Sequence, residues 1–200
     1  MRDQWYGDNR DLVKWGVLLE LVRRHRVRHV LQILYYRSNT WGQMEIDGEQ
    51  VELPAAVTQH FRNTKSVSAI QCSVPVDVVS EPFENRSHYL QIVLQRIQSR
   101  VHSPGIVFLD PDTGLEPPGV PGLQHVLDHE ARKIWEVLSP GDVMVFYQHQ
   151  TNRNGTPWIE PKKTQFERAL GVQEGSAKLA YALGIARDVA FFFMIKKKKM

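Results

Sequence analysis

Ile106-Val107-Phe108-Leu109-Asp110-Pro111-Asp112-Thr113-Gly114 sets four consecutive apolar residues, entered through Pro104-Gly105, directly before an acidic turn. A short apolar run bounded by Pro and Gly predicts a strand buried on both faces, because a half-solvated strand would alternate. Downstream, residues 123 to 138 carry a helical pattern, and Val143-Met144-Val145-Phe146-Tyr147 is again hydrophobic throughout. Strand, helix, strand with both strands buried is the pattern of an α/β protein. The expectation is a mostly parallel central sheet flanked by helices on both faces.

Working outward, Leu12, Val13, Leu18, Leu19, Leu21 and Val22 recur at helical spacing, with Asn9 or Asp11 as N-cap. Val30 to Tyr36 reads as a buried strand. Met44 to Val51 alternates around Asp47-Gly48 as a small hairpin insertion would. Pro54 to Phe61 predicts a short helix and Val67 to Cys72 a second sheet strand. Ser87 is the expected cap of a helix carrying Leu90, Val93, Leu94, Ile97 and Val101 on one face. Thr164 to Leu183 reads as helical with a break near Gly171 to Gly175, before a last strand from Val189 to Ile195. This makes one domain over residues 1–195, with a basic tail over 196–200.

A chain of 200 residues, 42% hydrophobic, is long enough to bury a real core as one domain. It has no charge-free apolar run near the ~20 residues that span a bilayer, and its start lacks a basic-then-apolar leader pattern, so the expected location is the cytoplasm. Cys72 is the only cysteine, which excludes a disulfide framework or a cysteine zinc site within one chain. The net charge is +3 and the pI about 9.0. Basic residues cluster at Arg23-Arg24-His25-Arg26, Arg28, Lys162-Lys163 and Lys196 to Lys199. Such clusters suit a polyanion, or equally a solvated basic surface.

In open parallel sheets, ligands bind beyond the carboxyl ends of the strands. Two loops fit that position. Asp110 and Asp112 end one strand, where a partly desolvated carboxylate suits a general base or electrostatic stabiliser; the competing reading is a Pro-Asp-Thr-Gly turn held by local hydrogen bonds. His149 ends the next strand among Gln148, Asn152 and Arg153, placed to donate to developing negative charge. At the start of the chain, Trp5 and Tyr6 offer stacking surfaces, and Asp8 or Asn9 hydrogen-bonding edges, although a hydrophobic staple with an N-cap explains them as well. Neither G-x-G-x-x-G nor a Walker lysine loop follows any strand, which disfavours dinucleotides and nucleoside triphosphates. Glu160-Pro161-Lys162 would put a proline inside a strand if it were a nuclease motif. The zinc-hydrolase and deaminase histidine patterns are missing.

Phe108 to Gly114 on a strand end, followed by a strand ending in Tyr147-Gln148-His149, resembles the uracil-DNA-glycosylase-like superfamily. With Tyr6-Gly7-Asp8-Asn9-Arg10-Asp11-Leu12-Val13-Lys14 at its start, the chain also resembles bacterial phage-defence DNA glycosylases that remove glucosylated hydroxymethylcytosine from viral DNA. The superfamily's usual Gly-Gln-Asp-Pro-Tyr and His-Pro-Ser sequences are not present as such. The resemblance implies cleavage of an N-glycosidic bond in double-stranded phage DNA without a metal or cofactor. Asp110, with Asp112, would stabilise the sugar cation and orient water, and His149 would face the departing base. Trp5, Tyr6, Asp8, Asn9, Tyr147, Gln148 and Asn152 would hold the extruded base, and Arg10, Lys14, Arg153, Lys162 and Lys163 the flanking phosphates. Leu109-Asp110-Pro111-Asp112 also resembles the D-P-P-Y loop of adenine methyltransferases, which use S-adenosylmethionine, although Arg37 to Gly42 lacks a Gly-rich cofactor turn. A non-catalytic DNA-binding subunit is the third reading.

Overall fold

A computed structural model describes residues 7–37, 43–46, 48–54, 72–100, 104–150, 152 and 155–198. The first helix, α1 (Asn9–His25), is capped ahead of both expected positions, so that Asn9 and Asp11 lie inside its first turn. Asp8 is the N-cap, its extended backbone letting its carboxylate accept from the amides of Arg10 and Asp11. Then follow β1 (Val30–Ile33), the hairpin β2 (Gln43–Ile46) and β3 (Glu49–Glu52), and β4 (Val76–Val79). The chain continues through α2 (Arg86–Gln98), β5 (Ile106–Leu109), β6 (Gly114–Leu115), β7 (His125–Val126) and α3 (Asp128–Val137). It ends with β8 (Val143–His149), α4 (Ile159–Leu170), β9 (Lys178–Ala182) and β10 (Ala186–Ile195).

The main sheet has six strands in the order β4-β1-β5-β8-β10-β9. The first four run parallel, while β10 is antiparallel to β8 and β9 antiparallel to β10. The fold is the expected α/β class with its hairpin. Strand residues alternate between two cores. Val30, Phe108, Val145 and Tyr147 pack under Leu18, Leu21 and Val22 of α1. Leu31, Val107, Leu109 and Phe146 pack against Tyr89 and Val93 of α2, Ile134 of α3 and Phe166 of α4. The parallel strands in chain order are β1, β4, β5 and β8, so the winding reverses between β1 and β5, the point where open α/β sheets form their crevice.

Several boundaries differ from the expectations. The strand beside β1 is Val76–Val79; the helix expected after Pro54 and the strand expected before Cys72 fall on residues 55–71, outside the described residues. The cap of α2 is Asn85, whose side chain accepts from the amide of His88 at 3.0 Å, and Ser87 lies inside the helix. Residues 171–183 are not helical. Gly171 closes α4 with a left-handed φ of 68°, and the buried Glu167 carboxylate accepts from the amides of Gly175 and Ala177, turning the chain into β9. Lys196 is no tail. Its amide bonds Asp142 O at 2.8 Å, and its ammonium donates to Trp135 O at 2.7 Å and lies over the Trp135 ring. Among the described residues, no helix is long and apolar enough to cross a membrane.

Candidate active site

Alternation along the strands aims the site. Phe108 and Tyr147 face α1, so Asp110, two residues past Phe108, and His149, two past Tyr147, project to that same side. Both line one cavity of about 450 Å³ at the carboxyl ends of the parallel strands, together with Asp8, Arg10, Asp11, Lys14, Arg37, Pro111, Asp112, Thr113, Gln124 and Tyr147.

Asp110 forms the floor. Its Oδ2 accepts from the Lys14 ammonium at 2.9 Å and from Gln32 Nε2 at 2.7 Å; among the described residues both bonds fall on Oδ2, leaving Oδ1 as the remaining acceptor. Burial pushes the Asp110 carboxyl above its ordinary range; Lys14 opposes this, while the Asp11 carboxylate adds to it. Lys14 also contacts Asp11. Burial disfavours its charge, but Asp110 and Asp11 together hold it protonated well beyond the usual lysine range.

Asp112, two residues on, sits in the opposite environment. Arg37 donates to its Oδ2 through Nε at 3.0 Å and through Nη2. Burial works to raise this carboxyl, but the positive charge around it, to which the Arg37 guanidinium contributes, outweighs burial and the group ends below its ordinary range. On the far wall, Arg10 bridges Asp8 at 2.8 Å and Asp188 at 2.5 Å, and His149 Nε2 lies 3.2 Å from the same Asp188 oxygen. His149 Nδ1 is 2.7 Å from Gln150 O, an acceptor, so Nδ1 carries a proton. Arg10 likewise holds Asp188 below the usual carboxylate range against the effect of burial.

The loops are locked to each other. Gln148, expected to bind substrate, is fully buried. Its Oε1 accepts from Leu115 N at 2.9 Å, and its Nε2 donates to Thr113 O at 3.3 Å and His149 O at 2.8 Å. It is a brace, because its strand position points away from α1. Gly114 has φ 136°, and a Cβ there would run into that amide.

Other expected contacts also move. Lys14 is a buried ion-pair partner rather than a surface phosphate ligand. Lys162 donates to Glu116 O at 3.1 Å and Gln165 Oε1 at 2.8 Å, and Lys163 lies between Glu160 and Glu167 of α4; both charges are spent on their own surroundings. Asn152 ties its loop through Thr156, and Asn9 lines a neighbouring depression with Asp188, not the main cavity. Tyr147 lines the cavity, but its ring packs edge-on against Phe191 with the Lys14 ammonium 5.4 Å from its centroid. Asp8, Arg10, Asp110, Asp112 and His149 are brought together as expected. Trp5, Tyr6 and Arg153 lie outside the described residues. The Arg23 to Arg28 cluster lies at the far end of α1, ~25 Å from the cavity by helix rise.

Reading the sequence missed Gln32, Arg37, Asp11 and Asp188. Two carried a signal: Gln32 is the one polar residue in the strand Val30–Ile33, and Asp11 shares the buried face of α1 with Lys14, Leu18 and Leu21. Among the described residues, no group of three or more His, Cys, Asp or Glu is arranged to hold a metal ion. No protein-family model matches the chain, and no curated protein matches it.

Proposed function

We propose that this chain is a DNA glycosylase that hydrolyses the N-glycosidic bond of an extruded modified base, glucosylated hydroxymethylcytosine in phage DNA being the leading candidate, and leaves an abasic site. One observation carries the reading: Asp110 and Asp112, two carboxyls with oppositely perturbed acidities, share a strand-end cavity with His149. Pairs of titratable groups pushed apart by their environments mark a division between proton transfer and charge stabilisation.

The transition state of such a cleavage is positive on the sugar and negative on the base. Asp112, held as an anion by positive charge that includes Arg37, suits stabilisation of the cation, and Asp110, whose proton affinity burial raises, suits acceptance of a proton from water. His149, from the adjoining strand, would donate to the leaving base. The cavity volume falls within the ~300–1,000 Å³ of small-ligand sites, enough for one flipped nucleoside. Arg10, Lys14 and Arg37 are each already paired with carboxylates, so the lining favours a cation over a phosphate, and the grip on flanking phosphates falls to residues outside the cavity. Acting on intruding phage DNA, the protein would work in the cytoplasm as antiviral defence.

The test is incubation of the protein with normal and hypermodified phage duplex DNA, followed by detection of abasic sites. Abasic sites confined to modified DNA support the reading. Methyl transfer dependent on S-adenosylmethionine, or DNA binding with every base retained, would replace it.

A further inference from the structure

His29 and Arg100 each bury a nitrogen, Nδ1 and Nη1 respectively, with no hydrogen-bond partner among the described residues. Both line one cavity of about 380 Å³. His29 directly precedes β1 and Arg100 follows α2, so this cavity sits at the amino ends of the parallel strands, the opposite edge from the candidate active site.

The two groups are held rather than loose. Arg100, its side chain 8% exposed, donates through Nη2 to Asp142 at 2.8 Å and through Nε to Ile97 O at 3.1 Å, leaving Nη1 a fixed donor with no partner among the described residues. His29, its side chain 4% exposed, sets Nε2 2.9 Å from Asp77 Oδ2. A carboxylate only accepts, so Nε2 carries the proton, and Nδ1 presents a lone pair in the neutral ring or an N–H in the charged one. Arg96 and Ser99 also line the cavity; Arg96 is mostly exposed and pairs with Glu81 at 3.3 Å. Buried donors left unpaired are costly, and in native proteins each calls for a partner.

We propose that this second cavity binds an oxyanion of the phosphate class. Arg100 Nη1 is a guanidinium donor that the pairing with Asp142 leaves unused, and guanidinium donors match phosphate oxygens. The histidine accommodates either form of the ligand. A P–OH donates to the bare Nδ1, and a fully ionised oxygen accepts from the charged ring. The phosphate comes either free, as inorganic phosphate or a monoester, or as a backbone phosphate of nucleic acid gripped along the edge where Arg24, Arg26 and Arg28 are also exposed.

Inorganic phosphate titrated into the full chain by calorimetry at constant ionic strength tests this. One saturable site is expected. R100K, which keeps a cation beside Asp142 but removes Nη1, should weaken it at least tenfold; R96A, a surface change with little risk to folding, should weaken it several-fold; and D110N, in the other cavity, should leave it unchanged. A duplex oligonucleotide that competes with phosphate assigns the site to nucleic-acid backbone, and failure to compete assigns it to free phosphate; either result upholds the site. Absence of saturable binding, or undiminished affinity in folded R96A and R100K, overturns the proposal and leaves the cavity to water. R96A alone decides if R100K does not fold.

Discussion

The Lys14 ammonium stands 2.9 Å from the Asp110 carboxylate, with the two side chains 5% and 2% exposed. Lys14 also contacts Asp11, itself buried. Removing the cation would leave two buried carboxylates side by side without their shared counter-ion. Lys14→Met is therefore expected to lose ~3–5 kcal/mol of stability, the range for breaking a buried pair from one side. Urea unfolding measures it, and a loss near zero would mean the pair is solvated in solution.

Asp110→Asn should behave in the opposite way. A carboxyl whose folded pKa lies above its unfolded value loses stability as pH rises through the interval between the two, since the folded state holds the proton more tightly. At pH 7 the ionised Asp110 thus works against folding, while Lys14 retains Asp11 as a partner when Asp110 is neutralised. The variant should melt at or above the wild-type temperature at neutral pH, with the gap closing below about pH 4, where both states are protonated. Calorimetric melts across that pH range check the sign; a variant markedly less stable at pH 7 contradicts it.

The same perturbation sets a kinetic expectation. If Asp110 must be ionised to take a proton from water, activity rises with pH through a midpoint above the ordinary carboxylate value of about 4. Asp112, held low by surrounding positive charge that includes Arg37, is already charged there and adds no second step on that limb. Single-turnover rates against pH give the midpoint, and an acid limb below about 4 would exclude Asp110 as the controlling group.

The parts of this arrangement were unequally legible in the sequence. Ile106–Leu109 and Val143–Tyr147 announce buried strands because burial on both faces removes the polar alternation, and a strand-end Asp and His follow from them by position alone. Lys178 to Ala182 has helix-compatible residues, yet Gly171 and Gly175 turn the chain with positive φ and the segment pairs with β10. The antiparallel direction of β10 leaves no mark in its composition. Asp188 joins the site only because Val189 pairs with His149 across the sheet, a long-range register that local pattern does not encode. Lys14 reads as a surface base until its place on the buried face of α1 is known.

Gly114 is the joint between the two loops. Its φ of 136° suits glycine, and a side chain there would displace the Gln148 amide that braces Leu115 and Thr113. Gly114→Ala should cost ~1–3 kcal/mol through strain and reduce activity further by moving Asp112. Gln148→Ala, which orphans the buried Leu115 amide, should cost a similar ~1–3 kcal/mol. Denaturant unfolding of both variants, beside their rates, separates support from chemistry; unchanged stability in both would mean the loops do not depend on this brace.

The central claim is that Asp110 serves the breaking of a sugar–base bond. Mass spectrometry of the small-molecule fraction after mixing excess protein with glucosylated-hydroxymethylcytosine DNA reads this directly. Free modified base should appear with wild-type protein and fall by at least a thousandfold with folded Asp110→Asn, about the upper half of the usual range for loss of a general base. Base release undiminished in that variant, or no release by wild-type protein from any modified DNA, would contradict the account.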